Sequence, residues 1–181
     1  CILEWAIANL YQLKAENVIS FSSKTVPILA ILRKNLLANK NTQIIYTDKL
    51  PECFDAEVLR RVYGYQFEVK RVDKAEVIAP FNGSTIFISE QSEISNFKLA
   101  PNIDFYINTH TQWGSVILIQ GEKNEEYISE IQHVRRRETI AMTPANCLLA
   151  LQHLVGKTTP TQKKNSIETN KTAVSNSIHE I

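Results

Sequence analysis

Three short runs rich in β-branched and aromatic residues, Val18 to Ser22 (VISFS), Thr42 to Thr47 (TQIIYT) and Phe67 to Val72, are separated by two segments patterned for helices. That alternation leaves few folds open. Strands joined through helical crossovers favour parallel pairing in one sheet, with the helices packed on its faces. Thr25 is placed to cap the first crossover helix, Pro27 is tolerated in its first turn, and the spacing predicts a run to about Ala38. The second helix, Asp55 to Tyr63, ends at Gly64, which can take the left-handed conformation of a C-terminal cap.

Outside this unit, Leu3, Ile7, Leu10 and Tyr11, widened by Trp5 and Ala6, have the spacing of an amphipathic helix. Further strands are predicted at Glu76 to Ile78, Thr85 to Ser89, Asp104 to Thr109 and Ser115 to Gln120, the first two joined as a hairpin through Asn82 and Gly83. Tyr127, Ile128, Ile131 and Val134 predict a helix over Asn124 to Arg137. A last strand at Thr139 to Thr143 and a helix from Pro144 carrying Cys147, Leu148, Leu151, Leu154 and Val155 complete the unit, with Gly156 as its stop. The expected architecture is a three-layer, Rossmann-like α/β fold: a mainly parallel sheet, helices on both faces and a hairpin in the second half. It occupies residues 1–156 as one domain. Beyond Gly156 the composition turns to Thr, Lys, Asn, Ser and Gln without period, so 157–181 is expected to be a disordered polar tail.

The chain has 20 basic and 19 acidic residues, a formal charge of +1, so no global field draws it to nucleic acid or an anionic membrane. The longest apolar run, Val26 to Leu37, is broken by Arg33, Lys34 and Asn35, well short of a membrane span. The first residues, Cys1-Ile2-Leu3, show no signal-peptide pattern and no initiating Met, which suggests a processed or truncated chain. Cys1, Cys53 and Cys147 are odd in number and far apart in sequence, which predicts neither a disulfide framework nor a CxxC metal site. A cytoplasmic, reducing location and no membrane partner follow as expectations.

In open parallel α/β sheets ligands bind outside the carboxyl ends of the strands. The first strand end is Ser22-Ser23-Lys24-Thr25, where hydroxyls and an ammonium meet a helix N-terminus suited to an anion. It lacks the glycines of a Walker loop or a GxGxxG turn, and helix capping is its purely structural role. Asp48, just past the second strand, is placed to accept from ribose hydroxyls or to form a local turn. At a third strand end, His110 offers an acid, base or phosphate ligand and Trp113 a stacking face.

No catalytic set or cofactor motif emerges beside these. His133, His153 and His179 match no zinc spacing, and Glu68 with Lys70 forms at most a loose nuclease-like ExK with Asp48. Arg135-Arg136-Arg137, Arg60-Arg61 and Lys70-Arg71 would bind nucleic acid only by converging in space.

The stretch Asn17-Val18-Ile19-Ser20-Phe21-Ser22-Ser23-Lys24-Thr25-Val26, continuing to Leu32-Arg33-Lys34, and then Ile45-Tyr46-Thr47-Asp48-Lys49-Leu50-Pro51, resembles the sugar-phosphate isomerase-like superfamily. That superfamily includes the regulatory subunits of initiation factor 2B and the methylthioribose-phosphate isomerases. The resemblance implies phosphate binding at Ser22, Ser23, Lys24 and Thr25. It carries no catalytic residue, because no Gly-Ala-Asp or Asn-Lys-Ile-Gly-Thr segment follows Asp104-Phe105-Tyr106-Ile107.

The leading expectation is a small-molecule-binding α/β domain that recognises a phosphorylated or anionic ligand such as a nucleotide or sugar phosphate. One alternative is a noncatalytic regulatory or assembly module that binds a partner protein or a second copy through Trp5, Tyr11 and the Cys147 to Val155 helix. Another is a nucleic-acid-binding or nuclease domain.

Overall fold

The structure is a computed structural model that describes residues 1–73, 78–90 and 99–156. The proposed tail 157–181 and most of the proposed strand Glu76 to Ile78 lie outside the described residues. In chain order the elements are α1 (Ile2–Leu10), β1 (Val18–Phe21), α2 (Val26–Leu37), β2 (Thr42–Tyr46), α3 (Ala56–Tyr63), β3 (Phe67–Arg71), β4 (Ser84–Glu90), β5 (Phe105–His110), β6 (Gly114–Ile119), α4 (Glu125–Arg137) and α5 (Pro144–Leu154).

The strands form a single six-stranded sheet in the order β1-β6-β5-β4-β2-β3. β3, β2, β4 and β5 pair in parallel, whereas β6 runs antiparallel to both β5 and β1. The ends of β1, β2, β3, β4 and β5 therefore share one rim, and β6 starts there. This is the three-layer, Rossmann-like arrangement that the alternating pattern predicted.

Strand alternation sends the two sets of side chains to opposite faces. Ile44, Ile86, Ile88, Phe105, Ile107, Ile117 and Ile119 pack with Ile28, Ile31 and Leu32 of α2, Leu59 of α3 and Tyr127, Ile131 and Val134 of α4. On the other face Val18, Ile45, Phe87, Tyr106, Val116 and Leu118 pack with Leu3, Ile7 and Ala8 of α1 and Ala150 of α5. β5 and β6, in the middle of the sheet, are buried along almost their whole length because both faces are covered.

The end of the sheet opposite the rim carries two sets of hydrogen-bonded polar groups. Asn35 Nδ2 donates to Thr42 Oγ1 at 2.8 Å, and the Tyr127 hydroxyl donates to Asn35 Oδ1, which joins α2, β2 and α4. Asp104 accepts from the Thr85 N–H at 2.8 Å and from Asn124 Nδ2 at 3.0 Å, and pairs with Lys123 at 2.8 Å. Buried polar groups are tolerated when partnered in this way.

Three local expectations change. Thr25 holds the cap position of α2 without a side-chain cap, and Ser23 Oγ instead accepts from the N–H groups of Thr25 and Val26 at 3.3 and 3.2 Å. Thr25 has near-helical dihedrals, so the earlier hydroxyl reaches the free donors. Thr139 to Thr143 forms only one bridge, Phe21 to Ala141, because Thr139 at φ 53° turns the chain after α4. No hairpin runs through Asn82 and Gly83, since β2 and β4's other neighbour β5 occupy both edges of β4. The hairpin of the second half is β5–β6.

Gly114 opens β6 at φ 108°, where a Cβ would lie 2.2 Å from the Phe21 carbonyl oxygen. Both the conformation and the close approach to β1 require glycine. Gly114→Ala is expected to cost about 2 kcal/mol or more, read as a lowered midpoint in chemical denaturation. An unchanged midpoint would contradict the close approach.

Candidate functional site

At the rim, Lys24, Lys49, Leu50, Pro51, Glu52, Glu90, Thr109 and Thr111 line a small open cleft. Each comes from a strand end or the loop just past it: Lys24 follows β1, Lys49 to Glu52 follow β2, Glu90 ends β4, and Thr109 and Thr111 flank the end of β5. The Lys49 ammonium pairs with the Glu90 carboxylate at 3.2 Å. Lys24 is partly buried and, among the described residues, has no carboxylate within ion-pairing distance. The cleft therefore carries two cations, Lys24 and Lys49, and two carboxylates, Glu52 and Glu90, beside two threonine side chains, with Lys49 and Glu90 paired.

The residues singled out from sequence divide in their placement. Lys24 lines the cleft directly. Ser23 is committed to the α2 terminus, and its carbonyl accepts from Ser115 Oγ at 2.5 Å, which ties the loop to β6. Ser22 is exposed, its N–H donating to the Ile140 carbonyl at 2.9 Å. The Asp48 carboxylate is also exposed and accepts from Thr47 Oγ1 at 3.2 Å, a contact within its own turn. Topology thus brings the ends of β1, β2 and β5 to one rim, but Asp48 does not line the cleft.

His110 and Trp113 belong to the other face. The His110 ring stacks on the Trp113 indole with centroids 3.3 Å apart and planes 5° apart, and His153 of α5 meets the indole edge-on at 5.1 Å. His110 Nδ1 accepts from the Gln112 N–H at 3.1 Å. Trp113 is 1% exposed, so its ring is a packing surface rather than an open stacking platform. Burial lowers the His110 pKa below the usual histidine value, the neighbouring His153 and Lys24 lower it further, and Glu90 opposes them.

One residue below the rim, Ser89 Oγ, both amide atoms of Asn108 and Trp113 Nε1 are buried without a hydrogen-bond partner. Ser89 and Asn108 stand opposite one another in the β4–β5 register. They lie on the α1/α5 face with Phe87 and Tyr106, by strand alternation. At the opposite end Asn17 Oδ1, Gln120 Oε1 and Asn124 Oδ1 are likewise unpartnered among the described residues, and buried orphans cost about 1–3 kcal/mol each.

Of the cleft residues only Lys24 was selected from sequence; Lys49, Leu50, Pro51, Glu52, Glu90, Thr109 and Thr111 were not, although the same strand-end rule reaches them. What sequence could not supply is which side chain at each end turns inward. Among the described residues no group of three or more His, Cys, Asp or Glu is placed to hold a metal.

Four arginines, Arg60, Arg71, Arg135 and Arg137, are engaged within the chain. Arg135 Nη1 pairs with Glu4 at 2.6 Å and donates to the Ser20 carbonyl at 3.3 Å. Arg60 donates to the Phe67 carbonyl at 3.1 Å and lies over the Phe67 ring. Arg71 donates to the Thr47 carbonyl at 3.2 Å, and Arg137 pairs with Glu138 at 2.9 Å. No described helix is long and apolar enough to cross a membrane.

No family model and no curated protein matches the chain. Solved structures do resemble it. A Listeria monocytogenes protein described as an L-allo-threonine aldolase superposes with a TM-score of 0.52 at 9% identity, over 84% of this chain and 56% of that one. An Exiguobacterium protein described as an aromatic amino acid β-eliminating lyase or threonine aldolase gives 0.48 at 9% identity, over 84% and 56%. The O-acetylhomoserine sulfhydrylase of Wolinella succinogenes gives 0.44 at 13%, over 82% and 58%.

The chain thus spans little more than half the length of these structures. The likeness to the Listeria structure establishes the fold, and it corrects the resemblance drawn from Asn17 to Pro51: that structure is not a sugar-phosphate isomerase-like protein. A strand, a serine-rich loop and a helix form a local unit shared by many parallel α/β folds, so a match over that unit alone does not select a superfamily.

The His110 environment has a consequence for stability. Because its folded pKa is depressed from 6.5, the contribution of neutral His110 is fully present above pH 6.5 and is lost as pH falls through the lower folded value. The thermal midpoint is expected to decline on acidification from about pH 7 to about pH 5, and His110→Asn to flatten that decline. Parallel profiles for the two proteins would assign the titration elsewhere.

Proposed function

We propose that the rim cleft binds a phosphorylated or otherwise anionic small molecule, with Lys24 as its principal cation. The observation that carries this reading is the partly buried Lys24 ammonium, which has no carboxylate partner among the described residues and lines the cleft with Thr109 and Thr111 at the shared strand ends. An ammonium removed in part from water gains from an anion, and threonine hydroxyls add hydrogen bonds to its oxygens. The Lys49–Glu90 pair forms the neutral opposite wall of the cleft. Ser22 and Thr25 flank Lys24, and Asp48 leads into the wall from β2, so these residues border the ligand. His110, held neutral above its lowered pKa, contributes shape rather than charge to the rim.

Chemistry at the α-carbon of amino acids is commonly carried by pyridoxal phosphate, which proteins hold through a lysine Schiff base with an acid or arginine at the ring nitrogen. The rim fits the phosphate end of such a group. It does not fit the ring end, because Glu90 is bound to Lys49 and the Trp113 face is covered by His110. The reading therefore stops at an anionic ligand, and no reaction is assigned.

A second reading is favoured by the exposed apolar side chains Ile2, Trp5 and Leu10 of α1 and Leu148 of α5, which suit self-association through that helical layer. Light scattering distinguishes it: a concentration-independent monomer opposes this second reading and leaves the ligand site untouched.

Titration calorimetry with inorganic phosphate, a sugar phosphate and a nucleotide tests the first reading. Binding by at least one is expected, and Lys24→Ala is expected to weaken it about tenfold or more, the worth of one charge-assisted hydrogen bond. Rising salt weakens the same interaction. Absence of binding across the panel, or equal affinity in the variant, would sink the proposal.

A further inference from the structure

Cys1 and Cys147 are separated by almost the whole domain in sequence, yet their Sγ atoms lie 3.9 Å apart. Cys1 caps the N-terminus of α1, and Cys147 sits in the first turn of α5, on the neighbouring helix of the same layer. Sulfurs at this separation are in van der Waals contact, and rotation about χ1 can bring thiols so placed to the bonding distance of about 2.05 Å. Nothing else in the described structure partners them strongly: Cys1 Sγ is 4.0 Å from Ser20 Oγ, and Cys147 Sγ is 3.9 Å from the Met142 carbonyl. Cys1 is exposed and Cys147 half-buried, so a small oxidant reaches the first directly and the second through it.

We propose that Cys1 and Cys147 form a reversible intramolecular disulfide that fastens the start of α1 to the start of α5. The co-reactant is a low-molecular-weight disulfide such as oxidised glutathione. The exposed Cys1 thiolate attacks one of its sulfurs, the S–S bond breaks, and one small thiol departs with the electron pair and a proton from solvent. Cys147, having lost its proton, then attacks Cys1 Sγ, breaks the mixed disulfide and releases the second small thiol. Two protein thiols have lost two electrons and two protons, and one small disulfide has become two thiols.

Burial, with the Glu4 carboxylate nearby, raises the Cys147 pKa, while the Cys1 amino group and Arg135 oppose the rise. That ordering makes Cys147 the resolving partner and not the first target. Oxidation would close a loop of nearly the whole domain, the case in which cross-linking restricts the unfolded chain most. The site is independent of the rim cleft, so ligand binding does not bear on it.

The experiment treats the full chain with oxidised glutathione at mildly alkaline pH, then counts thiols in denaturant and maps peptides by mass. The expected result is a Cys1–Cys147 linked peptide, with the exposed Cys53 carrying at most a glutathione adduct, and, in Cys53→Ser, no remaining thiol, a mass lower by two hydrogens and a midpoint higher by at least about 5 °C than in the reduced protein. Dithiothreitol should reverse all of these. Cys53→Ser should leave the cross-link intact, whereas Cys147→Ser and Cys1→Ser should each stop at a glutathione adduct on the surviving partner. Circular dichroism of the reduced variants verifies that they fold. Three free thiols after oxidation, unlinked adducts on both Cys1 and Cys147, or a link through Cys53 would each overturn the proposal.

Discussion

The antiparallel pair β5–β6, buried under helices on both faces, is the constraint on which the remainder of the structure depends. On one side β5 offers its edge to β4 and so to the parallel series. On the other, β6 reverses direction and receives β1 as its last neighbour. Because β6 reverses twice over, β1 ends at the same rim as β2, β4 and β5, although it belongs to a different part of the chain. Without that reversal Lys24 would stand at the opposite edge from Thr109 and Thr111. Gly114 makes the arrangement possible by letting the β6 backbone start against the Phe21 carbonyl.

Polar residues at both ends of the sheet divide between partnered and unpartnered atoms. At the end opposite the rim Asn35 joins Thr42 and Tyr127, and Asp104 accepts from Thr85 and Asn124, while Asn17 Oδ1, Gln120 Oε1 and Asn124 Oδ1 have no hydrogen-bond partner among the described residues. At the rim end Ser89 Oγ, both amide atoms of Asn108 and Trp113 Nε1 are in the same position, and Lys24 has no ion pair among the described residues.

The period of the hydrophobic residues was enough to read α1 to α5 and β1 to β6 from sequence, most of them within a residue of their observed ends. Strand ends were legible for the same reason, which is how Lys24 was reached. The order of the strands was not. Pairing is set by long-range packing of side chains that alternate alike in every strand, so Asn82-Gly83 read as a hairpin turn while β4 in fact lies between two parallel partners. Nor could the sequence show that His110 and Trp113 cover each other, or that Asp48 spends its carboxylate on Thr47. Such choices between a local and a distant partner are settled by geometry a few ångströms across. The resemblance over Asn17 to Pro51 misled for a related reason: it sampled the part of the fold most widely shared among parallel sheets.

The Arg135–Glu4 pair joins the helical layers of opposite faces around the side of β1. Its place there also governs how the molecule meets copies of itself. The Ser20 N–H donates to Glu4 and its carbonyl accepts from Arg135, while the Ser22 N–H is taken by Ile140. These are the outward backbone groups that an open strand would offer to a stranger. With them occupied at β1, and with the charged Glu68, Lys70 and Arg71 on the far strand β3, both margins of the sheet disfavour edge-to-edge pairing.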